Sequence, residues 1–96
     1  MSPTDAVYLE RNQVVAGLAA LAMMLGWRAG VAQTAIDGWD PEWHGCVYIE
    51  LPTGQVSWHF HVDHAYLFAR LPDYPDTWDG HDTPEKYRRV LALFPG

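Results

Sequence analysis

The stretch from Leu51 to Phe68, LPTGQVSWHFHVDHAYLF, constrains the fold of this chain more than any other. Its residues 52–54, PTG, form a turn sequence, and alternating apolar and polar residues follow. Residues 42–51 alternate in the same way, which predicts an antiparallel β-hairpin with strands over 42–51 and 55–61. Because an isolated hairpin is marginal in water, the rest of the chain must cover it, or a second copy must pair with it.

The second predicted strand has two faces of different polarity. Every second side chain is apolar and suits a core, while the side chains between them are polar or carry an imidazole. The apolar set is Val56, Trp58 and Phe60, and the polar set is Gln55, Ser57, His59 and His61. We therefore expect a ligand or a metal ion to sit on the polar face of this strand.

A long helix is predicted before the hairpin. Thr4 and Asp5 can cap it, it extends from about Ala6 to residue 24 or 25, and Gly26 ends it. Apolar residues at steps of three to five predict one buried face, and these are Leu9, Val14, Leu18, Leu21 and Leu25. The polar stretch over 10–13 is expected on the solvent side.

Two shorter helices are predicted after the hairpin. Asp63 can cap one over residues 64–70, and Asp82 with Glu85 has the capping-box spacing for a helix that ends at about Leu93. Its expected buried side is Tyr87, Val90, Leu91 and Phe94. The predicted fold class is α+β, with a long N-terminal helix packed on an antiparallel β-hairpin, followed by a short helix and a C-terminal helix.

Length and charge limit the function classes. A chain of 96 residues predicts one compact domain over 1–96. Its net charge of −6 argues against direct nucleic-acid binding, because no basic surface is available to displace counterions from phosphates. The single cysteine, Cys46, allows no internal disulfide, and the apolar run 14–25 is too short to span a membrane. We expect a cytoplasmic protein without a membrane segment, and a small core of this kind is compatible with a homodimer.

A string of potential metal ligands follows the second strand. His59, His61, Asp63 and His64 spell H-x-H-x-D-H, which has the spacing of the metal-binding string of the metallo-β-lactamase fold. That fold needs about twice this length, and no further ligand motif follows in the right order. These residues are weak candidates for a zinc site, and the favoured prediction is that the protein has no cofactor. The alternative roles are a hydrogen-bonded His59 and solvated imidazoles at His61 and His64.

A second constellation lies between Trp78 and Arg89, WDGHDTPEKYRR. Trp78 would anchor a loop, and the helix that follows would present backbone N–H groups beside Lys86 and Arg89. Such a helix start can accept an anion such as a phosphate. The alternative is that these cations pair with Asp82 and Glu85.

The motifs LPTGQVSWH and WDGHxTxEKYxR resemble those of a family of small uncharacterised proteins carried by bacteriophages and mobile elements. The resemblance also includes the E-R-N of residues 10–12 and the Gly26-Trp27 pair. It implies a setting and no established activity. The setting is an infected bacterial cell, where small phage proteins often act as counter-defence factors.

We expect a binding protein without turnover, which sequesters a nucleotide-like or other phosphate-bearing small molecule in an aromatic, imidazole and arginine pocket. The expected binding residues are Gln55, Trp58, His59, Trp78, His81, Lys86, Tyr87 and Arg89. The first alternative is an inhibitor that covers a host defence protein, in the manner of an anti-CRISPR factor, with its acidic loop over 73–82. The second is a small metal-dependent hydrolase with His59 or His81 as its base, and no nucleophile motif supports it.

Overall fold

The computed structural model describes residues 6–32, 43–74 and 78–94, without the side chains of residues 43, 44 and 62. The predicted cap at residues 4 and 5, most of the connector over 30–42, and Asp76 of the acidic loop lie outside the described residues. Helix α1 spans Ala6–Met24, and strands β1, β2 and β3 span Ala29–Ala32, Trp43–Leu51 and Gly54–His61. A 3-10 helix, η1, spans Val62–Phe68, and helix α2 spans Thr83–Leu91. The α+β class is confirmed.

Within the described residues, the sheet is antiparallel and has three strands in the order β1-β2-β3. The predicted hairpin is β2 and β3, in a register that places Val47 opposite Trp58 and Leu51 opposite Gly54. Strand β1 adds a third strand that pairs Ala29 with Ile49. The order of the strands places β3 at one edge of the sheet and β1 at the other.

A close backbone approach holds the segment over 72–74 beside β1. The Val31 N–H donates to the Pro72 carbonyl at 2.9 Å, and the Tyr74 N–H donates to the Val31 carbonyl at 3.0 Å. A Cβ atom added at Gly30 would lie 2.6 Å from the Pro72 carbonyl oxygen. Glycine at position 30 therefore lets the two segments meet.

The core lies between the sheet and α1 with η1. Two clusters of buried residues fill it: Ala19, Ala22, Ala29, Ile49, Leu51 and Val56 form one, and Val15, Val47, Phe60 and Phe68 form the other. The predicted buried face of α1 was wrong in part, because Leu18 packs on the core but Val14, Leu21 and Leu25 are exposed. Small residues face the sheet instead, which allows the helix backbone to approach it closely. The solvent side predicted for residues 10–13 was wrong for Asn12, which is 1% exposed.

The two later helices begin near the predicted positions. The Asp82 carboxylate caps α2 by accepting from the Glu85 N–H at 2.9 Å, as predicted. The cap of η1 is His61 in place of Asp63, since its Nδ1 atom accepts from the Asp63 N–H at 3.1 Å. The predicted buried side of α2 was wrong in part, because Tyr87, Leu91 and Phe94 are exposed. Val90 and Leu93 pack on the core.

The described helices include none that combines the length and the apolar character needed to cross a membrane.

Candidate functional site

The predicted binding residues separate into two groups on β3 and α2. The first group, which we call the loop cluster, consists of Gln55, Ser57, Trp78, Asp79, His81, Glu85 and Arg89. The second group, which we call the cationic cluster, consists of Arg11, His59 and Lys86 with the rings of Tyr8, Trp58 and Tyr87. The predicted binding residues therefore take part in two networks of contacts, and the single pocket stays a prediction.

Asp79 is the centre of the loop cluster. Its N–H donates to Gln55 Oε1 at 3.2 Å, and its Oδ1 atom accepts from the His81 N–H at 3.1 Å. Arg89 Nη1 donates to the other carboxylate oxygen at 2.7 Å. Burial of Asp79 raises its pKa, but hydrogen bonds from His81 and Arg89 outweigh this and leave the pKa below its usual value. The loop is thus fixed to both β3 and α2.

The imidazole of His81 joins Asp79 to Ser57. His81 Nδ1 lies 2.7 Å from Asp79 Oδ1, and His81 Nε2 lies 3.4 Å from Ser57 Oγ. The order Ser–His–Asp is that of a nucleophilic relay. Here Ser57 is only 6% exposed on a strand, and Asp79 is also tied to Arg89. The arrangement braces the loop against the sheet and leaves a substrate little access to the hydroxyl.

Arg89 is occupied by groups of the protein itself. Its Nη1 atom also donates to the Gln55 carbonyl at 2.6 Å, and its Nε atom donates to Glu85 Oε2 at 2.9 Å. Hydrogen bonds from Arg88 and then Arg89 lower the pKa of Glu85 to about 2. The alternative prediction, that the cations of this helix form ion pairs with its carboxylates, is therefore confirmed for Glu85. Arg89 works as a positioning residue, and the prediction that it meets a phosphate loses its geometric basis.

Trp78 is the exposed member of the loop cluster. Its side chain is 55% exposed, and its ring centroid lies 5.7 Å from that of His81. The tryptophan therefore lies on the outer surface of the braced loop, beside His81.

The cationic cluster begins where α1 meets the open edge of β3. Arg11 Nη2 donates to the His59 carbonyl at 2.6 Å and to Asn12 Oδ1 at 2.9 Å. The guanidinium carbon lies 5.0 Å from the centroid of the Tyr8 ring. From α2, Lys86 Nζ lies 5.0 Å from the centroid of the Trp58 ring. Positive charges from two helices thus meet beside one strand.

The positive charges in this group shift the pKa values of their neighbours. Burial, followed by the charges of Lys86 and Arg11, lowers the pKa of the His59 imidazole. Burial also lowers the pKa of Lys86; the Cys46 thiol opposes this and the charge of Arg11 adds to it. Within residues 6–32, 43–74 and 78–94, no carboxylate forms an ion pair with Arg11 or Lys86. This group is therefore locally positive in a chain of net charge −6.

The comparison with known protein families identifies the family of this chain. A profile for the WDGH domain matches residues 1–93, and the name of that family spells residues 78–81 of this chain. The chain belongs to the WDGH domain family. No curated protein and no solved structure matched the chain.

The residues of the H-x-H-x-D-H string take different structural roles in this WDGH domain. His61 caps η1, and His64 Nδ1 lies 2.7 Å from Asn12 Nδ2 in the core between α1 and η1. Of the two imidazoles expected to be solvated, His61 is 6% exposed and His64 4%, so that expectation was wrong. No group of three or more His, Cys, Asp or Glu side chains in the described part of the chain could hold a metal ion.

Sequence reasoning missed two buried polar contacts. Asn12 connects Arg11 to His64, and the signal for it was a polar run inside an otherwise apolar helix. The Tyr74 hydroxyl contacts Glu50 and accepts from Gln55 Nε2 at 3.1 Å, while its ring stacks on Tyr48 at 4.6 Å. Burial raises the pKa of Tyr74. Both ends of the Gln55 amide are thus bound inside the protein, so Gln55 is a positioning residue.

Proposed function

We propose that this WDGH domain binds a phosphate-bearing, nucleotide-like small molecule at the cationic cluster, without chemical turnover. The observation that carries the proposal is that Arg11 binds the His59 carbonyl while Lys86 lies over the neighbouring Trp58 ring, and no carboxylate of the described residues forms an ion pair with either cation. Their mutual repulsion is unfavourable in the unliganded protein. A phosphate between them would relieve it and accept charge-assisted hydrogen bonds from both.

The aromatic rings around these cations suit the rest of such a ligand. Tyr87 is 57% exposed, and it lies near enough to Arg11 to affect the pKa of the guanidinium group. The ring of Tyr8 lies under the same guanidinium group. A flat base can stack on exposed tyrosine, and the cations remain available to the phosphate. Of the predicted binding residues, His59, Lys86 and Tyr87 contact the ligand in this proposal, and Trp58 supports the ammonium group of Lys86.

The loop cluster would position this site. Arg89 ties α2 to the Gln55 carbonyl and to Asp79, which fixes where Lys86 lies three residues earlier on the same helix. Gln55, His81 and Arg89 therefore act at a distance from the ligand. The limited exposure of Ser57 is the reason for preferring binding to hydrolysis.

The biological setting rests on the resemblance alone. In the cytoplasm of an infected bacterium, a phage protein of this kind would lower the concentration of a nucleotide signal used by a defence system. The competing inhibitor hypothesis relies on the acidic loop. Its Asp79 carboxylate is paired with Arg89 and His81, which lowers the charge that the loop offers to a basic partner.

Isothermal titration calorimetry tests the proposal with cyclic dinucleotides, ADP-ribose and pyrophosphate. The wild-type domain should bind at least one of them, more tightly at low salt. Lys86→Gln should weaken binding about tenfold or more, since a hydrogen bond to a charged group contributes about 1.5–3 kcal/mol. Arg88→Gln is the matched control, because Arg88 lies on the same helix and pairs only with Glu85.

Two results would contradict this function. One is the absence of binding across the panel at millimolar ligand. The other is equal affinity of the wild-type and Lys86→Gln domains. Chromatography of the ligand recovered after the titration distinguishes binding from hydrolysis, and recovery of a cleaved ligand would support the hydrolase alternative.

A further inference from the structure

Asn12 of α1 and His64 of η1 form a buried polar pair that neither cluster of the candidate site includes. Asn12 is 1% exposed and His64 is 4% exposed, so water does little to solvate either side chain. An amide and an imidazole taken out of water destabilise a fold unless their polar atoms find hydrogen-bond partners. Asn12 Nδ2 and His64 Nδ1 meet this requirement at a distance of 2.7 Å. Apolar side chains would fill the same space without it, which indicates a role for the pair beyond packing.

The direction of each hydrogen bond in this group follows from Arg11. A guanidinium carries only donors, so the Asn12 atom that faces it must be the amide oxygen. Arg11 Nε lies 3.2 Å from Asn12 Oδ1, and Arg11 Nη2 lies 2.9 Å from it. The amide nitrogen therefore faces His64 and donates to Nδ1, which leaves the imidazole proton on Nε2. Through Asn12, an arginine on α1 thus fixes the tautomer of a histidine on η1. We call Arg11, Asn12 and His64 the Asn12 relay.

The same contacts hold one side of the Arg11 guanidinium. Its Nε and Nη2 atoms donate to Asn12 Oδ1, and Nη2 also donates to the His59 carbonyl at 2.6 Å. The Tyr8 ring lies against the group, with its centroid 5.0 Å from the guanidinium carbon. Among the described residues, none accepts a hydrogen bond from Nη1. The two N–H groups of Nη1 are therefore the donors that Arg11 can offer to a ligand.

We infer that Asn12 and His64 are positioning residues for Arg11, and that they hold its guanidinium in the orientation in which Nη1 binds a phosphate. Without His64, the Asn12 amide could turn its oxygen away from Arg11, and the hydrogen bond to Nδ1 opposes this rotation. An arginine that is ordered before the ligand arrives loses less conformational entropy on binding. The inference rests on the proposed function for the ligand, whereas the Asn12 relay is present in the unliganded protein.

Nitrogen-15 NMR of the histidine side chains tests the relay without a ligand, at about pH 8, where an ordinary imidazole is neutral. In the wild-type chain, His64 should carry its proton on Nε2. Arg11→Met removes the donors that orient the Asn12 amide, so the amide can also turn its oxygen to His64, and both tautomers should appear. Arg88→Met is the matched control, because it removes the same charge from α2 and should leave the His64 signals unchanged.

Ligand affinity tests the positioning role. The probe is the tightest-binding member of the panel of cyclic dinucleotides, ADP-ribose and pyrophosphate, and the measurement is calorimetry. His64→Leu removes the acceptor for the Asn12 amide, and the affinity should fall about three- to tenfold, the effect expected when one long side chain must be ordered on binding. His64→Asn is the conservative variant, because its side-chain oxygen can take the place of Nδ1. Its affinity should stay within about twofold of the wild type.

Asn12→Ala is a second variant, which removes both bonds of the relay with a residue that favours helix. It should lose affinity to the same degree as His64→Leu. Circular dichroism verifies that each variant is folded before its affinity is interpreted. A pair with a structural role alone would lower the stability of His64→Leu and Asn12→Ala and leave the affinity of the folded variants unchanged.

The inference is overturned if His64 carries its proton on Nδ1 in the wild-type chain, or if Arg11→Met and Arg88→Met give the same His64 signals. Equal affinity of the wild type and a folded Asn12→Ala or His64→Leu variant would also overturn it. Absence of wild-type binding across the panel would contradict the proposed function, and the positioning role with it. In that case the NMR measurement still decides whether the Asn12 relay exists.

Discussion

His59 connects the edge of β3 with the proposed binding site. Its carbonyl is held by Arg11 at the edge of β3, and its ring lies on the polar face of the strand, near two positive charges. Burial and those charges keep its pKa below 6.5, so the folded protein binds this proton less well than the unfolded chain does. His59 therefore lowers stability as the pH falls below 6.5, and an anion beside it would reverse that effect.

The affinity of the site for a phosphodiester should consequently rise as the pH falls below 6.5. An anion raises the pKa of the neighbouring imidazole, so binding takes up a proton between the free and bound pKa values. The gain is up to about tenfold per pH unit. Calorimetry with a cyclic dinucleotide measures it, because its diester phosphates do not titrate in this range. The His59→Gln variant should show a flat profile, and an unchanged slope in that variant would assign the proton to another group.

At the level of the elements, two arginines protect the open edge of the sheet. Arg89 from α2 donates to the Gln55 carbonyl, and Arg11 from α1 donates to the His59 carbonyl. Edge strands with unpaired carbonyls invite association with other strands, and covering them with helices avoids this. Both clusters of the candidate site thus arise from the way in which the helices close this edge.

Gly30→Ala tests the opposite edge, where the segment over 72–74 meets β1. The added Cβ would lie 2.6 Å from the Pro72 carbonyl oxygen, so backbone must move. We expect a loss of about 1–3 kcal/mol in the free energy of unfolding, measured by urea denaturation. Gly17→Ala is the control at the same protein concentration. It has open space in a helix and should gain about 0.5–1 kcal/mol. Equal free energies of unfolding for Gly30→Ala and the wild type would show that the backbone at residues 30 and 72 has room for a Cβ atom.

Across the whole molecule, local sequence signals predicted the helices and the hairpin, and tertiary packing determined which of their faces are buried. The turn at residues 52–54 and the Asp82 cap depend on neighbouring residues, and both were predicted correctly. The predicted face of α1 against the sheet was wrong in part, because small residues permit a closer approach than most of the predicted leucines do. Arg11 was not predicted for the site, because no local pattern indicates that α1 reaches the edge of β3.

The division of the candidate site has the same origin. Trp78 and Lys86 are close in sequence, and the sequence predicted one shared pocket for them. In the fold, Asp79 and Glu85 both bind the guanidinium of Arg89, whereas Arg11 and Lys86 form no ion pair with a carboxylate of the described residues. Only the three-dimensional pairing of carboxylates with cations shows which positive charges remain available.

The central claim is that an anion binds between Arg11 and Lys86 beside His59. Nitrogen-15 NMR of the histidine and tryptophan side chains during a pyrophosphate titration tests it most directly. The imidazole of His59 and the indole of Trp58 should show the largest shifts, with little change at His81 and Trp78. Shifts confined to His81 and Trp78, with His59 unmoved, would contradict the claim.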